Sequence, residues 1–193
     1  MARDTLVWLT GALWLFVVSA GFWAWERYEV TAGPVRAPEG AAPAPPNERA
    51  PAGWRLTVFV HPHCPCSRAS LGELGALARA VPDLAVRVLF VLPWGTEPGW
   101  VAGESWDLVA RVPGAARGVD RGGSEARRLG AETSGHAVLT DPMGRIAFRG
   151  GLTRARGRVG ESPGTRAVQD WVRGSTGAPT SPVFGCPLLA PDA

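Results

Sequence analysis

Two cysteines, one residue apart, sit between stretches of different hydrophobic period, and that junction constrains the fold more than any other feature. Leu56-Thr57-Val58-Phe59-Val60 is short, apolar and rich in β-branched and aromatic side chains, which predicts a buried strand. His61-Pro62-His63-Cys64-Pro65-Cys66-Ser67 comes next. Beyond it Leu71, Leu74, Leu77, Ala78 and Val81 recur at helical spacing and form one apolar stripe. The chain must therefore run strand, tight turn, helix, with the cysteines where the helix begins. Gly72 and Gly75 weaken that helix intrinsically, so packing has to hold it. Pro82-Asp83 ends it, and residues 84–92 (LAVRVLFVL) predict a second core strand, apolar enough to be covered on both faces.

The next segment is less regular. Ser105 is a candidate cap for a short helix, Trp106 to Val112, and Ser124 to Leu129 predicts another. His136 to Thr140 and Arg145 to Arg149 predict two strands, joined as a hairpin by the turn sequence Asp141-Pro142-Met143-Gly144. Gly164 to Arg173 predicts a final helix with Val168, Trp171 and Val172 on its apolar face. Strand, helix, strand, helical region, hairpin, helix is the element order of the thioredoxin-like fold. The expectation is an α/β domain with a central mixed sheet flanked by helices.

Residues Thr5 to Trp25 carry no charge over 21 positions. As a helix they would span roughly 31 Å, enough to cross a bilayer core. Trp8, Trp23, Trp25 and Tyr28 lie near the ends, where amphipathic rings prefer the interface. A retained transmembrane anchor over 1–30 is the expectation. A cleaved signal peptide is the alternative, since Val18-Ser19-Ala20 offers small residues at a cleavage position. Residues 31–53 hold six prolines and few large apolar side chains, which predicts a Pro/Ala-rich tether. The folded domain is expected over 54–176, with a tail at 177–193 containing Cys186. Arg3 precedes the apolar segment while Arg27 and Arg36 come after it, so flanking charge does not orient it. The domain is placed outside the cytoplasm, in the periplasm, because a short leader and an apolar segment usually export the chain downstream of them. The 20 basic residues are all Arg, and against 17 acidic ones they leave a net charge of +3. That excess is too small to argue for nucleic acid.

At a helix N-terminus, unpaired backbone N–H groups and the helix dipole favour a thiolate. Cys64 is expected to be the more exposed sulfur and the attacking group, with Cys66 resolving the mixed disulfide. Pro65 fixes one dihedral between them. A disulfide between cysteines this close closes a tight ring, and strain makes such a bond easier to reduce. That reading implies an oxidising or isomerising couple. A second reading is soft-metal binding, with His63, Cys64, Cys66 and His136 offering imidazole and thiolate to copper. A third is an inert interaction domain. Cys186, in Val183-Phe184-Gly185-Cys186-Pro187, is either a free thiol or an auxiliary partner for the pair. Peroxidase chemistry fits poorly, because His61 and His63 stand where a peroxiredoxin-type site has Thr or Ser. The run Arg154-Ala155-Arg156-Gly157-Arg158 is expected to be solvated surface, and Trp94 and Trp100 are candidates for a binding face.

In four stretches the chain resembles the membrane-anchored thioredoxin-like proteins labelled RedB: HPHCPCSRASLGEL (61–74), EARRLGAETSG (125–135), GGLTRARG (150–157) and VFGCPL (183–188). The resemblance spans 61 to 188. It implies thiol-disulfide exchange with protein thiols or disulfides, Cys64 and Cys66 as the redox pair, and Cys186 as a motif residue. Two departures from ordinary thioredoxins stand out. The pair is separated by one residue instead of two, and Thr133-Ser134-Gly135-His136 has no proline where thioredoxins carry a cis-Pro. The expected function is that of a membrane-tethered thiol-disulfide oxidoreductase needing no cofactor, with a copper-binding or copper-delivery protein as the alternative.

Overall fold

The computed structural model describes residues 2–37 and 53–189. Two compact units divide the chain, Met1–Thr31 and Ala32–Ala193. The first is a single helix, α1, Ala2–Val30. Its stretch Arg3–Val30 is long and apolar enough to cross a membrane, a test that a signal sequence also passes. Trp8, Phe16, Phe22 and Trp23 are all exposed on it.

The second unit is built on a five-stranded sheet: β1 Arg55–Val60, β2 Ala85–Leu92, β3 Ala116–Arg121, β4 His136–Thr140 and β5 Ile146–Gly151. Their order across the sheet is β3-β2-β1-β4-β5. β1 and β3 run parallel to β2, β4 runs antiparallel to β1, and β5 antiparallel to β4. Helices α2 Ser67–Ala80, α3 Glu104–Val109, α4 Ser124–Arg128 and α5 Pro163–Val172 complete the unit, with a 3-10 turn at Pro98–Val101. A central β1 feeding α2, two parallel strands on one side and an antiparallel hairpin on the other make this the thioredoxin-like fold.

Strand alternation divides the core into two layers. Leu56, Val58 and Val60 of β1, with Val88, Phe90, Ala137 and Leu139, pack against Leu71, Leu74 and Leu77 of α2 and Val168 of α5. Phe59, Leu89, Val91 and Val138 face the other way, onto Ala126, Leu129 and Leu188. Each fully buried Leu, Val or Phe contributes roughly 1.5–3 kcal/mol, so the β1 run that is wholly buried from Leu56 to Val60 anchors both layers.

β3 is an addition to the expected elements. Its sequence ARGVDR is mostly exposed, and only Asp120 is buried along it. The Asp120 carboxylate accepts the backbone N–H of Glu125 (3.1 Å) and Ala126 (2.8 Å) and the Ser124 hydroxyl (3.1 Å), which starts α4. α3 is shorter than expected and begins at Glu104, so Ser105 lies inside it and caps nothing. α5 starts on a capping box between Ser162 and Thr165.

Residues 38–52 of the expected tether lie outside the described residues. Its first residues run against the domain: Gly33 N–H donates to Val183 C=O (2.8 Å) and Arg36 N–H to Gly130 C=O (3.1 Å). From Pro179 the chain tracks β5, with Arg149 N–H donating to Pro179 C=O (3.0 Å) and Gly151 N–H to Pro182 C=O (3.2 Å). A bridge between Thr133 and Pro187 then docks it beside the start of β4. The stretch expected as a tail is thus fastened to the domain as far as Leu189.

Candidate functional site

The sheet delivers Cys64 and Cys66 to the C-terminal end of its central strand. Backbone turns close the connection: Cys64 N–H donates to His61 C=O (3.1 Å) and Ser67 N–H to Cys64 C=O (3.1 Å). Cys66 is the N-cap of α2, already helical at φ −68° and ψ −22°. The cysteines therefore occupy the helix N-terminus as the sequence predicts.

Their exposure is the reverse of the expectation. Cys64 is 2% exposed, whereas Cys66 is half-buried and reaches the surface. The segment around Cys186 covers Cys64. The Cys186 N–H points at Cys64 Sγ at 3.4 Å, and the Cys186 thiol is also hydrogen-bonded to Cys64. The auxiliary thiol is thus in direct contact with the pair, across 122 residues of chain.

Burial raises the Cys64 thiol, but the hydrogen bonds around it outweigh burial and bring it below its ordinary value. These come from the Cys186 thiol and N–H, the Ser67 hydroxyl and the Cys66 N–H. Cys66 moves upward, through burial and then through the negative charge of Cys64 and a hydrogen bond to it, with the Arg156 guanidinium opposing. Cys186 is pushed up to about 12 by burial and by its hydrogen bond and charge interaction with Cys64. The thiolate form is favoured at Cys64 and disfavoured at Cys66 and Cys186, whose thiols are hydrogen-bonded to it.

Three further groups frame the sulfurs. The Ser134 hydroxyl accepts the His61 N–H (2.8 Å) and pairs with the Ser67 hydroxyl (2.9 Å), so it braces the turn that carries the cysteines. No cis peptide bond is present among the described residues. Gly135 is next along the chain at φ +90°, and a Cβ there would lie 2.7 Å from the Ser70 hydroxyl. Arg156 reaches in from the run expected to be solvated, donating to Gly185 C=O and interacting with Cys66. Trp100 covers the histidines: His63 Nε2 lies 2.9 Å from Trp100 C=O, and both rings meet the indole edge-on, at 5.2 Å for His61 and 4.7 Å for His63. His61 Nδ1 accepts the His63 N–H (3.2 Å), and burial together with the His63 charge lowers its pKa. Trp94 is exposed elsewhere, beside Gly122.

Among the described residues no three His, Cys, Asp or Glu side chains are grouped to hold a metal ion. His136 is fully buried on β4, opposite Phe59 of β1 and Gly151 of β5, and neither ring nitrogen has a hydrogen-bond partner. Burial, then the charge of Arg149, lowers its pKa to about 4. Burial thus favours its neutral form. Ser134 and Arg156 are the partners that sequence reasoning missed, while Trp100, a candidate for a binding face, lies against both histidines. The loop that holds Ser134, 133–136, carried a signal in its lack of a proline; Arg156 carried none beyond its place in a charge run.

No family model matches the chain, and no curated protein does. Solved structures do match. An uncharacterized conserved protein from Geobacillus kaustophilus superposes with a TM-score of 0.61 at 14% identity, over 86% of this chain and 94% of that one. A hypothetical protein from Sinorhizobium meliloti gives 0.57 at 22% identity, over 71% and 79%. A secreted disulfide oxidoreductase from Mycobacterium tuberculosis gives 0.40 at 17% identity, over 49% and 66%. The first two share the fold of this chain.

Proposed function

We propose that this protein is a thiol-disulfide oxidoreductase of the RedB type, tethered by α1 with its domain outside the cytoplasm, and that Cys64 and Cys66 are its redox pair. One observation carries the reading: a buried sulfur, Cys64, ringed at the start of α2 by hydrogen-bond donors that favour its thiolate, beside a second thiol that reaches the surface. A structural thiol needs no such donors, whereas a nucleophile does. An oxidising compartment suits the chemistry, and the apolar helix Arg3–Val30 supports export of the domain.

The difference in burial supports an order of events in which Cys66 reacts first. Cys66 is the sulfur that a substrate disulfide R–S–S–R′ can reach. Its proton passes to Cys64, and Cys66 Sγ attacks; the S–S bond breaks, and R′S⁻ leaves and takes the proton from Cys64. Cys64 thiolate then attacks Cys66 Sγ and releases RS⁻. One substrate disulfide is reduced and two protein thiols are oxidised to a Cys64–Cys66 disulfide. Run backward, the same steps oxidise a dithiol. Arg156 favours the Cys66 thiolate in the first step, because its charge opposes the rise in the Cys66 pKa.

Trapping tests this order. With an excess of glutathione disulfide, Cys64→Ser should accumulate a stable mixed disulfide on Cys66, and the unaltered chain should release it. A Cys64→Ser protein that takes up no glutathione, together with an unaltered chain that never exchanges, would overturn the function.

A further inference from the structure

Exchange through Cys64 and Cys66 leaves a third sulfur unused. Cys186 touches the same Cys64 Sγ that Cys66 must bond, and several contacts of the fold hold it there. Ser134 N–H donates to Cys186 C=O at 2.8 Å, and Leu188 N–H to Glu132 C=O at 2.8 Å. Arg156 donates to Gly185 C=O. Gly185 lies so close to the Ser134 carbonyl that a Cβ at 185 would overlap it. Val183 and Leu188, on either side, are buried. The segment is fixed before and after Cys186, and the residue between those anchors presents its N–H and its thiol to Cys64.

The two disulfides open to Cys64 differ in geometry. A bond to Cys66 must close across the single residue Pro65, whose φ is fixed, with Cys66 already committed to the helix N-cap. A bond to Cys186 joins segments that are distant in sequence and side by side in space, with no short ring to strain.

We infer that Cys186 is a second resolving cysteine, and that the resting oxidised protein holds a Cys64–Cys186 disulfide to which the bond moves from the Cys64–Cys66 ring. The inference rests on the proposed exchange function. The step is an isomerisation with no net transfer of electrons. Cys186 gives up its proton and its sulfur attacks Cys64 Sγ; the Cys64–Cys66 bond breaks, the Cys64–Cys186 bond forms, and Cys66 leaves as a thiolate that takes the proton. The outer thiol is thereby returned to the surface for another substrate, and the oxidised bond is stored under the docked segment.

A disulfide map of the full chain, purified in detergent, oxidised with glutathione disulfide and blocked with N-ethylmaleimide, tests this. Cleavage at arginine gives one peptide with both Cys64 and Cys66 (56–68) and another with Cys186 (174–193). Expected is a cross-link between the two peptides, with fragmentation placing the bond on Cys64 and the maleimide on Cys66. The same link should vanish in Cys64→Ser, and in Cys66→Ser, which lacks the surface sulfur that receives the substrate, it should form more slowly. In Cys186→Ser the pair is confined to the tight ring, and the thiol-to-disulfide ratio needed to reduce it should fall about tenfold as strain makes the bond more reducible. A peptide 56–68 with its own two thiols joined, beside a maleimide-blocked Cys186, would overturn the inference and leave the exchange function standing. Absence of any disulfide would overturn both.

Discussion

Cys64 and His136 are both buried ionisable groups beside the same central strand, and they are treated in opposite ways. Cys64 is 2% exposed and ringed by donors that favour its charged form. His136 is fully buried, has no partner on either ring nitrogen, and is held neutral. Burial alone disfavours charge at both sites. Only at Cys64 do backbone and side chains converge to reverse it. A buried group with its charge stabilised is set up for chemistry, and one with its charge refused is set up for packing. The contrast separates the sulfur proposed for the redox pair from the histidine that sequence reasoning offered as a metal ligand.

The largest effect that would sharpen this contrast is the loss of Cys64. Cys64→Ser should lower turnover in a thiol-disulfide exchange assay by about a thousandfold or more, as loss of a group that acts covalently usually does. His136→Leu should leave turnover near its starting value. Equal damage from the two substitutions would break the contrast.

Acid stability should then respond at His136. Its folded pKa of about 4 lies below the ordinary histidine value of 6.5. The unfolded chain therefore binds a proton first, and stability is complete above about pH 6.5 and falls as pH drops toward 4. The full loss is about 3 kcal/mol, at roughly 1.4 kcal/mol per pKa unit. Denaturant melts of His136→Leu at several pH values should lack that slope, and at neutral pH the variant should be at least as stable, since two unpaired nitrogens are gone. An unchanged slope would assign the acid sensitivity to another group.

Smaller effects fall on the frame. Ser134→Ala removes the acceptor of the His61 N–H and the partner of Ser67. Chemical denaturation should register a loss of about 1–3 kcal/mol. Arg156→Gln removes the cation that opposes the rise in the Cys66 pKa. Alkylation of Cys66 in Cys64→Ser near neutral pH should slow about fivefold in that background. A faster reaction would mean that Arg156 shields Cys66 more than it activates it.

The fold was legible where hydrophobic period was strong. Leu56 to Val60 and residues 84–92 announce the two central strands, and Leu71, Leu74 and Leu77 announce the helix that covers them. β3 was missed because an edge strand of Ala, Arg, Gly, Val and Asp buries almost nothing and has no alternation to detect. At the site, the spacing of Cys64 and Cys66 and their place before a helix were readable. Their relative exposure was not, because it depends on docking of 183–188, a tertiary event that neither segment encodes alone. Arg156 was hidden for the same reason: within its own run it resembles its neighbours, and only the folded chain brings it to Gly185 and Cys66.

The central claim is that Cys64 rests as a thiolate while its two neighbours rest as thiols. Ultraviolet thiolate absorbance of the reduced chain, measured across pH and compared with Cys64→Ser, tests it directly. The account predicts a single thiolate titrating below the ordinary thiol range, absent in Cys64→Ser, with the other two sulfurs charging only at higher pH. A reduced protein whose first thiolate appears in or above the ordinary range, or whose early thiolate survives Cys64→Ser, would contradict it.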